Sequence, residues 1–199
     1  EDAGGYSYPM TDLASLPVPD EGPIRDKIRQ IYERSFPPEE QITMCDLLRA
    51  ARKPGVSFDA WTDASLPAGE AGADRVVALT FSLAFPDLFY LGFLAVDART
   101  RGAGYGTRIL THVAQRYPGI PQLLEIEPVT REAPNYQQRV RRLAFYERNG
   151  FTVTNMLTHE ADQTYRVLAR DGIVSPQRLE EALNSVTDDP AYASRVTTD

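Results

Sequence analysis

At 199 residues, 42% hydrophobic and 25% charged, the chain is long enough to bury a substantial core and has the balance of a globular protein. No apolar run approaches the roughly 20 residues a bilayer crossing needs, so a membrane partner is not expected. A formal net charge of -7 argues against a general nucleic-acid binder, which needs a basic footprint, and favours a cationic partner.

Residues 1–22 lack the basic and apolar regions of a secretory signal and carry several Gly and Pro, so they read as an irregular N-terminal arm. A first helix follows in "PIRDKIRQIYERSF", with Ile24, Ile28, Ile31 and Tyr32 on one stripe. The run "FPPEEQITMCDLLRAARKPG" reads as a second helix with Glu39 and Glu40 in its opening turn. Cys45, the only cysteine, is expected to be a buried small hydrophobe. With His112 and His159 as the only histidines, neither a disulfide framework nor a structural zinc site can be built, so no metal is expected and the default location is cytoplasmic. "VSFDAWTD", "RVVALTFSLAF" and "LFYLGFLAV" then read as three antiparallel strands.

"GTRILTHVAQRY" is a helix, "QLLEIE" a strand, and "NYQQRVRRLAFYERNG" a helix stopped by Gly150. "FTVTNML" and "TYRVLAR" make a closing strand pair. "SPQRLEEALNSV" is a helix capped by Ser175, and "TDDPAYASRVTTD" beyond it is expected to have little to pack. The fold class is therefore mixed α/β: residues 23–170 form the main domain and 171–199 a C-terminal helix and tail.

Between the third strand and the following helix lies "VDARTRGAGYGTRIL", with glycines at 102, 104 and 106. Glycines at a strand-to-helix turn let backbone N–H groups close on a phosphate while the helix N-terminus adds partial positive charge. A Walker loop would need a lysine before Thr107, and a Rossmann fingerprint would start directly after the strand with a different glycine spacing.

"LAVDARTRGAGYG" resembles the acetyl-CoA loop of the GCN5-related N-acetyltransferases (GNAT), Arg/Gln-x-x-Gly-x-Gly/Ala, through Arg101, Gly104 and Gly106. "AFYERNGF" resembles the superfamily's second signature through Tyr146, Gly150 and Phe151. The order of elements from about Ile24 to Arg170 agrees. The resemblance implies a central, mostly antiparallel sheet with a splay between its fourth and fifth strands, and acetyl-CoA as co-substrate. Main-chain groups of Leu94, Ala95 and Val96 would bind the pantetheine arm. Arg101, Gly102, Ala103, Gly104, Tyr105, Gly106 and Thr107 would hold the pyrophosphate. Ala98 replaces a frequent proline. Arg139 stands where asparagine is frequent and could serve a phosphate instead, and Arg141 and Arg142 are alternatives for such a clamp or part of a solvated face.

Acyl transfer to an amine needs a neutral nucleophile and a proton for the departing thiolate. Glu125 and Glu127, two apart on a strand, face one side, and one of them is the expected base unless the pair sits on a solvated face or caps an arginine. Tyr146 is the expected general acid, because a phenol is protonated where a thiol ionises. Tyr32, Tyr90 and Tyr105 are assigned as core or surface rings, and His112 as packing or surface. Glu39 and Glu40 either compensate a helix dipole or draw in a small-molecule or peptide amine of more than one positive charge. The rival readings are a non-catalytic CoA-binding or partner-binding module, and an O-acyltransferase or user of longer acyl chains. The C-terminal helix, absent from the minimal fold, would cap the sheet, shield the cleft or form a homodimer contact.

Overall fold

The computed structural model describes residues 12–186 and 193–199. Its elements are β1 (Leu13–Pro17), α1 (Pro23–Ser35), α2 (Met44–Ala50), β2 (Val56–Asp63), β3 (Val76–Ala84), β4 (Phe89–Val96), α3 (Tyr105–Arg116), β5 (Gln122–Ile126), α4 (Tyr136–Arg148), β6 (Thr152–Glu160), β7 (Gln163–Arg170), α5 (Pro176–Asn184) and β8 (Ser194–Thr198). All eight strands join one sheet in the order β1-β2-β3-β4-β5-β7-β6-β8. Every neighbouring pair is antiparallel except β4 and β5.

The two-residue alternation of β5 divides the core. Leu123 faces a cluster with Ile28, Ile31 and Tyr32 of α1, Leu47 of α2 and Leu179 of α5. Leu124 and Ile126 face a second cluster with Leu110 and Val113 of α3 and Tyr146 of α4. The sheet is thus sandwiched, with α1, α2 and α5 on one face and α3 and α4 on the other. Each fully buried Leu or Ile contributes about 1.5–3 kcal/mol, which is why the apolar stripes of these short helices fix their orientation.

The parallel pair matters most for function. β4 and β5 are in register only at Phe89↔Gln122, Tyr90↔Leu123 and Leu91↔Leu124. Beyond Leu91, β4 stays on β3 through a bulge at Gly92, while Glu125 and Ile126 of β5 stay on β7. The two strands therefore part, leaving a gap whose β4 edge is Phe93–Val96. The Asp97 amide donates to the Val77 carbonyl at 2.8 Å, on the β3 side. By alternation, the peptide groups of Leu94 and Val96 face the gap.

Four expectations are corrected. The arm is not wholly irregular: Leu13–Pro17 pairs with β2, and residues 1–11 lie outside the described ones. The tail does pack, because β8 adds to the β6 edge with Ser194 and Val196 buried. The second helix begins later than the prolines suggest. Pro38–Glu40 forms a separate 3-10 turn, and α2 starts after Thr43, whose hydroxyl accepts from the Asp46 amide at 3.1 Å. Glu39 and Glu40 therefore do not open α2. Finally, Cys45 is exposed on α2.

Candidate active site

The glycine loop is shaped by two backbone positions. Gly104 is the N-cap of α3 with φ +77, a conformation that a side chain disfavours, and a Cβ there or at Gly102 would meet nothing within 4 Å. The cradle is therefore open on its outer side. The first amide of α3 to find a helical acceptor is that of Arg108, which donates to the Gly104 carbonyl at 3.0 Å. Those of Tyr105, Gly106 and Thr107 precede the helical ladder and point outward at the positive end of the helix. Gly106 has the opposite constraint: a Cβ there would lie 2.9 Å from Cζ of Phe145, so the ring of α4 packs directly on the first turn of α3.

Two buried carboxylates hold this loop from behind. The Tyr105 hydroxyl donates to Asp63 at 2.8 Å, and Arg108 reaches the same oxygen at 3.4 Å. Only the amide of Tyr105 is left for the cradle, since its ring is turned into the core beside Ile109. Asp97, at the end of β4, accepts from the Arg99 amide at 3.1 Å and pairs with Lys27 of α1. Burial pushes both carboxyls up, but the hydrogen bonds to Asp63 from Ser65, Tyr105 and Arg108, and to Asp97 from Lys27 and Arg99, hold each below the usual carboxylate range. Arg101, Gly102, Ala103 and Thr107 are exposed.

On the α1/α2 face, the gap opens into a cavity of about 790 Å³. Phe93 and Tyr90 of β4, Glu40 of the 3-10 turn, Glu125 of β5 and Glu127 just after it lie along it. The strand expected to carry both carboxylates ends at Ile126, so Glu127 lies just beyond it; both carboxylates line the cavity, yet their environments differ. Glu127 is clamped by Arg139 and Arg142, each at 2.8 Å, with Asn135 donating at 3.1 Å. Arg139, expected as a phosphate contact, spends the rest of its guanidinium on Asn135 (2.7 Å) and the Pro128 carbonyl (2.8 Å). Arg139 and Arg142 of α4 thus serve Glu127, and a carboxylate held by two arginines lacks the freedom of a base. Arg141 is exposed.

Glu125 has no such pairing. It accepts from the Thr158 hydroxyl of β6 and from the phenol of Tyr90, and burial together with the charge of Glu160 pushes its carboxyl up to about 7. This is the titration range of a base that works at neutral pH. The hydroxyl of Tyr165 also lies among Glu40, Glu125, Glu160 and Glu127, and burial raises it well above a free phenol.

Tyr146 lies on the other face. Its ring is 5.1 Å from Phe145 and 5.8 Å from Phe151, in the cluster that contains Leu91 and Leu124, the last paired residues before the gap. Burial pushes its phenol up to about 12. Glu125 and Tyr146 thus flank the parting of β4 and β5 from opposite faces. The side chain of Glu39 lies outside the described residues. His112 stacks edge-on with Trp61 at 5.1 Å, a packing role.

Sequence reasoning missed Asp63, Asp97, Thr158, Glu160 and Ser194, and gave Tyr90 only a core or surface role; its ring is buried in the core, but its hydroxyl meets Glu125. Asp97, the only acid between an apolar strand and a glycine loop, could have been found as a turn cap. The others come together only through pairing of strands distant in sequence. Among the described residues, no group of three or more His, Cys, Asp or Glu is placed to hold a metal ion, and no helix is long and apolar enough to cross a membrane.

Comparison with known proteins agrees with this geometry. A family model for the acetyltransferase (GNAT) domain matches residues 67–153. A structure of a GNAT-family protein from Bacteroides thetaiotaomicron superposes with a TM-score of 0.64 at 20% identity, covering 91% of this chain and 98% of that one. An aminoglycoside 6'-N-acetyltransferase complexed with coenzyme A gives 0.56 at 15% identity, covering 81% and 99%. The ribosomal-protein-S18-alanine N-acetyltransferase from Escherichia coli gives 0.55 at 16% identity, covering 82% and 95%. No curated protein matches.

Proposed function

We propose that this chain, which has the GNAT fold and carries that superfamily's acetyltransferase domain, is an N-acetyltransferase acting by direct attack of a cationic primary amine on acetyl-CoA. The observation that carries the reading is the parting of β4 and β5, with an open glycine cradle at its end and a carboxyl pushed up to about 7 beside it.

The residues fit the co-substrate. The outward amides of Tyr105, Gly106 and Thr107, with Gly102, Ala103 and Gly104 leaving room and Arg101 exposed at the rim, would hold the pyrophosphate. The gap-facing peptide groups of Leu94 and Val96, with Ala95 between them, would hold the pantetheine arm as an added strand. When bound, acetyl-CoA supplies the activated acetyl thioester.

The chain's own residues handle protons and charge. An alkylamine with a pKa near ~10 arrives as an ammonium, and Glu125 takes one proton from it to expose the lone pair. A carboxylate titrating near 7 is better matched to this task than one in the ordinary range, since its proton affinity is closer to the amine's. Tyr146 donates a hydrogen bond to the departing sulfur, and the second proton, lost by the nitrogen as the C–N bond forms and the C–S bond breaks, ends on that thiolate. The Tyr146 phenol, at about 12, stays protonated throughout the working range. Against a thiol at ~8.5, complete transfer from such a phenol is uphill by about 5 kcal/mol, so its contribution is a hydrogen bond more than a finished proton transfer. Glu40, in the cavity wall, favours an acceptor with a second positive charge, a small molecule or a peptide.

The test is CoA release across polyamines, aminoglycosides, peptide N-termini and lysines, with acetyl-CoA affinity measured by calorimetry. Gly104→Asp puts a negative side chain against the cradle and should abolish both binding and release while circular dichroism stays native. Unchanged affinity in the folded variant would remove the basis for the assignment.

A further inference from the structure

The elements beyond β7 lie outside the matched acetyltransferase domain, yet they wall the acceptor cavity. Leu183 of α5, Val186 after it and Ser194 of β8 all line it. The contact is polar as well as apolar. The Ser194 hydroxyl donates to Glu160 at 2.5 Å, where the carboxylate closes β6 at the cavity edge. Ser194 is itself held from both sides of its backbone: Asn184 of α5 accepts from its amide at 2.8 Å and donates to its carbonyl at 2.9 Å. Glu180 accepts from the Val196 amide at 2.7 Å, and Arg166 forms two bonds with Asp199, at 2.6 and 2.8 Å. Five consecutive residues, 194–198, are thus locked in register on β6.

We propose that α5 and β8 are a working part of the acceptor site, in which Ser194 is a positioning residue that fixes the Glu160 carboxylate against Glu125. This rests on Glu125 being the base. The consequence is electrostatic. An ionised Glu160 held in place disfavours a second negative charge on Glu125, whereas a Glu160 free to turn to water would not. The other groups around the pair are Tyr90 of β4, Thr158 of β6, Tyr165 of β7, Glu40 of the 3-10 turn, Glu127 with its arginines, Asp46 and Arg49 of α2, and Lys53 in the turn after it. None of these changes when Ser194 is altered.

The experiment needs no acceptor. Protein labelled with carbon-13 at the glutamate carboxyls is titrated by NMR, with the Glu125 signal assigned by its loss in Glu125→Gln. The wild type should titrate near 7. Glu160→Gln should lower that midpoint by on the order of one pH unit or more, Ser194→Ala should lower it in the same direction, and Ser194→Thr should restore it. Asn184→Ala, which loosens the Ser194 backbone but keeps its hydroxyl, should give a smaller fall and covers the case in which Ser194→Ala does not fold. A merely structural role would lower the melting temperature and leave the midpoint where it was. Such a result, with Glu160→Gln still effective, would overturn the positioning role alone. A wild-type Glu125 that titrates like an ordinary carboxylate would overturn the base assignment as well.

Discussion

Replacing Glu125 by glutamine should stabilise the protein at mildly alkaline pH while disabling it. Burial, reinforced by the charge of Glu160, lifts this carboxyl from 4.5 to about 7. At about 1.4 kcal/mol per tenfold change in proton affinity, the ionised form costs about 3 kcal/mol of folded stability. The sign follows from which state releases its proton first. Below 4.5 both folded and unfolded chains hold the proton and nothing is lost; as pH rises the unfolded chain ionises first, so stability falls until about 7 and then levels off. Glutamine keeps a carbonyl to accept from Thr158 and removes the ionisation. Urea unfolding should therefore find variant and parent nearly equal at low pH, with the variant more stable by about 3 kcal/mol near pH 8. Turnover should fall by about 10²- to 10⁴-fold. A stability difference that is the same at both ends would mean that Glu125 ionises normally in the folded protein, and the argument for it as a base would fail.

Tyr146→Phe should lower kcat toward the ~10²-fold end of general-acid effects and leave acetyl-CoA affinity unchanged, because the ring packing is kept; wild-type turnover with chemistry rate-limiting would remove the phenol from the mechanism. The double change Glu39→Gln, Glu40→Gln should raise KM for a dicationic amine while sparing a monoamine, and the difference should shrink between low and physiological ionic strength, read from initial rates. Asp63→Asn leaves Arg108 buried without its anion, so it should cost about 1–3 kcal/mol by thermal unfolding and weaken acetyl-CoA binding in calorimetry. Because the Asp63 carboxyl sits below the usual range, its stabilisation is present at neutral pH and is lost as pH falls through that lowered value.

What the sequence disclosed follows from which contacts are local. The glycine loop, the Ser175 cap and the helical stripes of α1 and α3 are written within a few residues, so their positions were readable. Spacing alone put Glu125 and Glu127 on one side of a strand, but the strand stops at Ile126, before Glu127. Which of them is free could not be known, because Arg142 is 15 residues away and Thr158 is 33 from Glu125. β8 escaped notice for the same reason: "SRVTT" is polar and short, and only the register with β6 makes it a strand. Tyr90 looked like one more aromatic in an apolar run, since nothing nearby in sequence marks the carboxyl its hydroxyl meets across the parallel pair.

The ring of Phe145 on Gly106 has a further consequence. It couples the end of α4 to the start of α3, so the cradle and the neighbouring Tyr146 form one stiff module on a single face of the sheet. The cavity on the other face is walled by α2, the 3-10 turn, the β6–β7 connection and the C-terminal segment, and α4 reaches it only through Arg142. On the function proposed above, the sheet would separate a donor side from an acceptor side. Grafting new residues onto the 3-10 turn, the β6–β7 connection and the C-terminal segment, while Arg142 is kept, should therefore redirect which amine is accepted without retuning how the thioester is held.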